Sequence, residues 1–376
     1  MARNATNKHL RKASKAKNDE FYTLFGDIQK EVEAYLEFNP DIFRDRVVYC
    51  NCDDPFESNF FRYFVLNFKR IGLKQLITTS YKPSPVANTQ LELFGDDSTL
   101  KQVKGRPKIT ANKFIINSVG DIDGDGEFSL KDVALQLKQN KQNEWTPLEG
   151  DGDFRSDESI LLLKQADFII TNPPFSLFRE YLKQLIEFNK KFLIIASINA
   201  ITYKEVFPLI KDNKMWLGTG MGRWISGFIV PESYELYGSE ARIDEDGNRI
   251  VATNNCLWFT NLDHGKRHQP LPLMTMADNI KFSSHKNIKG KNYDKYDNYD
   301  AIEVSYTDAI PSDYAGVMGV PITFLDKYNP EQFELLGIMN TGEENKGIRY
   351  KETPHGRPIV NGVEKYLRIL IKNRNL

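Results

Sequence analysis

Three cysteines in 376 residues, Cys50, Cys52 and Cys256, are too few and odd in number for a disulfide framework. Cys50-Asn51-Cys52 has no usual zinc spacing, and reduced thiols suit a cytoplasmic chain. No apolar run reaches membrane-spanning length, and the N-terminus lacks the apolar core of a signal peptide. No internal repeat is present. The net charge is only −1, so a uniformly basic or acidic surface is excluded. Charged residues at 27% and hydrophobic ones at 40% are ordinary for a soluble globular protein. The chain is long for one domain, which predicts a large domain and a smaller one.

The near-zero charge hides segregation. Residues 1–17 carry six lysines and arginines and no acid. The stretch 266–295 and the tail from Lys346 are basic as well, whereas aspartates and glutamates dominate 121–158. Each basic run alone reads as a solvated face, but three in one chain favour contacts with phosphates.

The chain is organised around Ala166-Asp167-Phe168-Ile169-Ile170-Thr171-Asn172-Pro173-Pro174-Phe175. A short apolar run rich in β-branched residues predicts a buried strand. Asn-Pro-Pro then ends it, because proline has no N–H and forces the preceding residue into extended geometry. Ser176 offers an N-cap, and Leu177, Tyr181, Leu182, Leu185 and Ile186 follow at helical spacing. Strand, stiff polar loop and helix place Asn172 at a strand's carboxyl end, where open α/β sheets bind ligands. An amide oxygen beside a proline carbonyl makes two convergent acceptors for an exocyclic –NH2, and Phe175 offers a face to a planar base. The arrangement suits methyl transfer to an amino nitrogen on a ring. It reads otherwise as a proline turn with Phe175 in the core; the strand before and the helix after favour the chemical reading.

Other elements frame this one. Val47 to Cys52 is a strand ended by Asp53-Asp54-Pro55, then a helix with Phe60, Phe64 and Phe68 on its core face. Leu73 to Thr79 is a second strand, Lys191 to Ser197 another, and Leu257 to Leu262 the last. Thr202 to Lys211 reads as a helix and Ala241 to Ala252 as a hairpin turning at Asp246-Gly247. Lysines interleaved with Tyr293, Tyr296 and Tyr299 suit either a nucleic-acid surface or a linker. Gly218, Gly220, Gly222 and Gly227 lack the spacing of a phosphate loop.

The sequence resembles the EcoRI-type family of DNA adenine-N6 methyltransferases. The matching pieces run from Asn18-Asp19-Glu20-Phe21-Tyr22-Thr23 through Val47 to Pro55, Ser58 to Phe61, Gly150 to Ser156 and Thr171 to Phe175. They continue with Phe192 to Asn199, Ser226 to Pro231, Asn255 to Trp258, Gly319 to Pro321 and Asn329 to Phe333. The resemblance implies an α/β fold, a seven-stranded, mostly parallel sheet with helices on both faces, plus a smaller target-recognition region. Its boundaries would be a basic arm at 1–17, a catalytic domain at 18–263 with an acidic insert near 120–150, and a DNA-binding region at 264–376. It implies catalysis by Asn172, Pro173, Pro174 and Phe175. S-adenosyl-L-methionine would be held by Phe21, Tyr22, Thr23, Asp53, Asp54, Asp153 and Phe154, with Asp153 and Phe154 at its adenine. Asp151 and Asp153 read equally as helix-start carboxylates. One departure is plain: no Gly-x-Gly follows Val47–Cys52. Nor does an acid follow the second strand, so the ribose contact is unassigned. Double-stranded DNA is the implied partner, and a cognate restriction endonuclease would act on the same site without binding the chain. The same Asn-Pro-Pro chemistry also serves RNA bases and protein glutamine amides, and a non-catalytic DNA-binding module is a further alternative.

Asp121 to Asp132 follows the spacing of a calcium loop, with Asp121, Asp123, Asp125 and Glu127 as oxygen donors, Gly126 at the turn and Asp132 at the twelfth position. Asp132 in place of Glu, and a strand-like approach, make it more like a dockerin loop than an EF-hand. A structural calcium ion is one expectation; an acidic surface turn is the other.

Overall fold

The computed structural model describes residues 22–52, 58–81, 111–139, 142–220, 225–230, 236, 241–245, 247–251, 255–342, 345 and 347–376. The basic arm, Phe21, Asp53 and Asp54 lie outside the described residues. The chain divides into two compact units, Met1–Ile198 with Gly218–Leu262, and Asn199–Leu217 with Asp263–Leu376.

In the first unit the elements run β1 (Tyr22–Thr23), α1 (Phe25–Phe38), β2 (Val47–Cys50), α2 (Asn59–Leu66), β3 (Gln75–Thr79), β4 (Asn112–Ile116), α3 (Leu130–Gln139) and β5 (Glu144–Pro147). They continue α4 (Asp157–Gln165), β6 (Phe168–Thr171), α5 (Phe178–Glu187), β7 (Lys191–Ser197), β8 (Phe228–Val230), β9 (Arg242–Ile243), β10 (Arg249–Val251) and β11 (Cys256–Thr260).

The principal sheet corrects the expectation of seven mostly parallel strands. It counts eight and is mixed. Those of the first unit lie in the order β5-β4-β3-β2-β6-β7-β11. Strands β3, β2, β6 and β7 are parallel, while β4, β5 and β11 run antiparallel to their neighbours. The side chains explain the split. Val47–Cys50 and Phe168–Thr171 are buried throughout, as parallel strands covered on both faces must be. Asn112–Ile116 and Glu144–Pro147 alternate or expose polar residues, which an antiparallel edge tolerates.

Ser58 caps α2 by accepting from the Phe61 N–H at 3.1 Å, and Phe60, Phe64 and Phe68 are buried as expected. Ser156 caps α4 in the same way. Ser176 does not cap α5: the Pro174 carbonyl accepts from Leu177 N–H at 3.0 Å, drawing Phe175–Leu177 into a 3-10 turn, and α5 starts at Phe178. A second, antiparallel sheet runs β1-β8-β10-β9 and contains the expected hairpin.

The second unit holds a four-stranded sheet in the order Ile302–Glu303, Met318–Pro321, Arg368–Asn373, Phe333–Ile338. The helix expected over Thr202–Lys211 is confined to Phe207–Lys211, where Pro208 sits in the first turn. Tyr296 and Tyr299 are buried at 2% and 1% exposure, and Tyr293 donates its hydroxyl to the Ala309 carbonyl at 2.6 Å. The Tyr296 and Tyr299 rings belong to the unit's core and present no stacking surface, while Tyr293 is half-buried. Among the described residues no helix is long and apolar enough to cross a membrane.

Candidate active site

Asn51, the residue after β2, ties the site together. Its carbonyl accepts from the Thr171 hydroxyl at the end of β6, and its side-chain oxygen accepts from Tyr181 on α5. Burial pushes the Tyr181 phenol well above its ordinary pKa, so the ring stays a donor. Two neighbouring parallel strands are thereby locked at their carboxyl ends, one residue short of Asn172. Asn172 is 7% exposed, and Pro173 and Pro174 are buried beside it. Phe175 is half-buried, its ring edge-on to Phe228 at 6.1 Å.

Phe228 links this loop to the N-terminal stretch. It pairs with Thr23 across β1 and β8, while Tyr22 pairs with Ile229. The Thr23 carbonyl also accepts from Asn59 Nδ2 at 2.8 Å, so β1 is held to the start of α2. Thr23 thus stands two contacts from Phe175, with Tyr22 next to it in the chain.

The Gly150–Phe154 turn reaches the same edge from the other side. Gly152 has φ +79°, and a Cβ there would lie 2.0 Å from the Ser80 carbonyl oxygen beyond β3. Only glycine permits that approach. Asp153 is engaged locally: its oxygens accept from Arg155 N–H at 2.8 Å, Nε at 2.9 Å and Nη2 at 2.6 Å. Arg155 reaches Glu180 of α5 at 2.9 Å as well and lies over the Phe154 ring. That ring is 4% exposed and edge-on to Tyr181 at 5.0 Å. Asp153, Phe154 and Asn172–Phe175 therefore join through Tyr181 and Asn51.

Two buried acids escaped the reading of the sequence. Asp27 and Glu31 lie one turn apart on α1. Asp27 accepts from Ser226 N–H at 2.8 Å and its hydroxyl at 2.7 Å, two residues before Phe228. Glu31 accepts from Thr219 N–H at 2.7 Å, the Thr219 hydroxyl at 2.9 Å, Gly220 N–H at 2.9 Å and Tyr35 at 3.1 Å. Burial raises both carboxyls despite these donors. The glycine-bearing segment is gripped by α1. The available signal was an i, i+4 pair of acids on a face shared with Ile28, Val32 and Tyr35.

The 121–132 loop behaves differently. Oxygens of Asp121, Asp123 and Asp132 lie within 4.8 Å of one another. Asp121 accepts from Gly124 and Gly126 N–H, and Asp132 from Ile122, Asp123 and Ser129 N–H and the Ser129 hydroxyl. Burial raises the Asp132 carboxyl, but those donors outweigh it and hold the group down at about 2. Lys131 places its ammonium 2.7 Å from Asp123. Asp125 accepts from Glu127 N–H at 2.9 Å, and both residues face solvent. The expected calcium ion is not supported: a lysine already supplies positive charge, and backbone donors fill the carboxylates.

The Asn-Pro-Pro-Phe loop follows a parallel strand at its carboxyl end and is tied to Phe154 through Asn51 and Tyr181; by its family the chain is a methyltransferase. The chain belongs to the family described as adenine-specific methyltransferase EcoRI, whose model matches residues 9–374. It is 50% identical over 376 residues to the Type II methyltransferase M.EcoRI of Escherichia coli, covering 100% of this chain and 99% of that one. It is 34% identical to the Type II methyltransferase M.MpnI of Mycoplasma pneumoniae, over 97% of this chain and 98% of the relative. A third relative, M.MgeORF184P of Mycoplasma genitalium, is 35% identical over 98% and 99%. No solved structure matches the chain.

Proposed function

We propose that this chain is a site-specific DNA adenine-N6 methyltransferase of a restriction-modification system, taking its methyl group from S-adenosyl-L-methionine. The observation that carries this reading is the Asn172–Phe175 loop, locked at the carboxyl ends of β2 and β6 through Asn51. The names of the relatives support it.

The residues at this edge suit the cofactor. Asp153 and Phe154 lie on a turn that Gly152 presses against Ser80, the carboxylate oriented by Arg155 and the ring seated on Tyr181, with Tyr22 and Thr23 beyond Phe228; Phe21, Asp53 and Asp54 complete the proposed set. When bound, S-adenosylmethionine would supply a sulfonium methyl as electrophile, its S–CH3 bond breaking to leave the neutral thioether as N6–CH3 forms and the N6 proton is lost to water. The chain's own groups then act on the acceptor. An adenine in a duplex cannot present N6 to a buried site, so it is flipped out, at roughly a few kcal/mol of unstacking. Phe175 stacks on the ring. Asn172 Oδ1 and the Pro173 carbonyl accept from N6–H and draw the nitrogen lone pair out of conjugation. Pro174 fixes the loop. The remaining demand is alignment, which the Asn51 lock provides.

The test offers methyl-labelled S-adenosylmethionine separately with duplex DNA, total RNA and total protein, then digests the product. Label in N6-methyldeoxyadenosine is expected. Label confined to RNA or to glutamine would overturn the acceptor while leaving the Asn172 chemistry in place.

A further inference from the structure

The second unit carries two groups of tyrosines among basic residues, and only one faces solvent. Tyr350 is 64% exposed and Tyr366 85% exposed, with Val363 between them at 58%. They flank a two-stranded hairpin, Ile359–Val360 paired with Val363–Glu364. Its turn is Asn361-Gly362, both at positive φ, the mirror-image turn that matches strand twist and projects a tight ribbon.

The ribbon is anchored from below. Asn298, fully buried, donates Nδ2 to the Arg357 carbonyl at 2.8 Å and accepts from Ile359 N–H at 3.0 Å. Its carbonyl accepts from Tyr350 N–H at 3.1 Å, and the Tyr350 hydroxyl donates to the Tyr296 carbonyl at 2.9 Å. One residue therefore gathers Tyr350 and the foot of the hairpin on a rigid base. Charge completes the picture. From Lys346 to Leu376 the chain has eight lysines and arginines against two acids, Glu352 and Glu364. Both acids are paired, with Arg349 at 3.0 Å and Arg357 at 2.9 Å, while Asp297 beneath the turn accepts from Gly362 N–H at 2.7 Å and keeps its single charge against that surplus. The surplus charge rests on groups such as Lys351 and Lys365. An apolar, aromatic ribbon would invite self-association; a surplus of cations opposes a second copy and suits a polyanion.

We propose that the 359–364 hairpin with Tyr366 is a duplex-DNA contact. Lys351 and Lys365 would meet phosphates, and the Tyr366 ring would lie against a groove edge. A two-stranded ribbon is a shape that a major groove admits. This inference rests on reading the chain as a DNA methyltransferase.

The test measures binding of the full chain to sheared genomic duplex DNA over a series of salt concentrations, alongside methyl transfer to the same DNA. Tyr366→Ala is expected to weaken binding about tenfold, on the scale of a lost aromatic contact to nucleic acid. The double variant Lys351→Ala/Lys365→Ala is expected to reduce the salt slope by about two, near one for each phosphate contact. S-adenosylmethionine binding and the thermal midpoint stay unchanged, since Lys351 and Tyr366 are exposed and Lys365 is half-exposed. Wild-type methylation of DNA with unaltered affinity and slope in both variants would overturn the inference alone. A wild-type dimer in sedimentation that Tyr366→Ala dissolves, with DNA affinity intact, would overturn it in favour of a second copy. Failure of the wild type to methylate DNA would bring down both readings.

Discussion

Two acidic, glycine-bearing turns of the first unit look alike in sequence and are held in opposite ways. The 121–132 loop is held by itself. Its carboxylates collect its own N–H groups, and Gly124, at φ +78°, has nothing near the position of a Cβ. The 150–154 turn has almost the same dihedral at Gly152, φ +79°, yet there a Cβ meets the Ser80 carbonyl. The first turn is a local device, and the second is shaped by the rest of the fold. Residues that form a site belong to the second kind, because a site needs groups from distant parts of the chain.

Substitutions can break this contrast. The largest effect is expected at Asn172, where Asn172→Ala should lower the rate of methyl transfer by about a thousandfold, on the scale of removing one preorganised polar group from an active site. Its cofactor binding and thermal midpoint should stay near wild type; equal rates in a single-turnover assay would refute the assignment. Next comes Gly152→Ala, which adds a backbone clash to left-handed strain. It should destabilise the chain by about 3 kcal/mol and weaken cofactor binding, whereas Gly124→Ala should cost only about 1 kcal/mol and leave catalysis alone. Denaturant midpoints of the pair would separate steric from conformational cost. Asp27→Asn keeps the size of the side chain but loses an acceptor to Ser226, so about 1–2 kcal/mol of stability should go, with a fall in turnover through Phe228.

The smallest effect is expected at Asp132. Its carboxyl sits lower in the folded chain than the ordinary 3.8, at about 2, so its contribution to stability is present above pH 4 and fades as pH falls toward 2. Asp132→Asn should lower the thermal midpoint by a few degrees at pH 7, by less near pH 3, and leave turnover unchanged. A loss of turnover would show that this loop is not independent of the site.

What could be read in the sequence follows the same division. β2, β6 and β7 were legible because an apolar run between polar breakers carries its own signal, and the Asn-Pro-Pro loop because proline dictates geometry locally. Strand β4 was not expected, since nothing within Asn112–Ile116 says that it will lie antiparallel beside Gln75–Thr79. Asp27 and Glu31 were missed for a sharper reason. An acid on an apolar helix face acquires meaning from its partners, and theirs lie 199 and 188 residues further on. Tyr296 and Tyr299 were misplaced by composition alone, since lysines and tyrosines in alternation describe a solvated face and a buried core equally well.

Cys52 sits where β2 ends, at φ +62°, in the left-handed region that a residue with a Cβ enters at a cost of roughly 1–2 kcal/mol. The backbone at Cys52 thus takes a conformation that a glycine would adopt freely, without the glycine. The strain is stored next to Asn51, on which both strand ends depend, and a Cys52→Gly exchange would release it while also loosening the unfolded chain, so the two effects offset and the turn can change identity at little net cost.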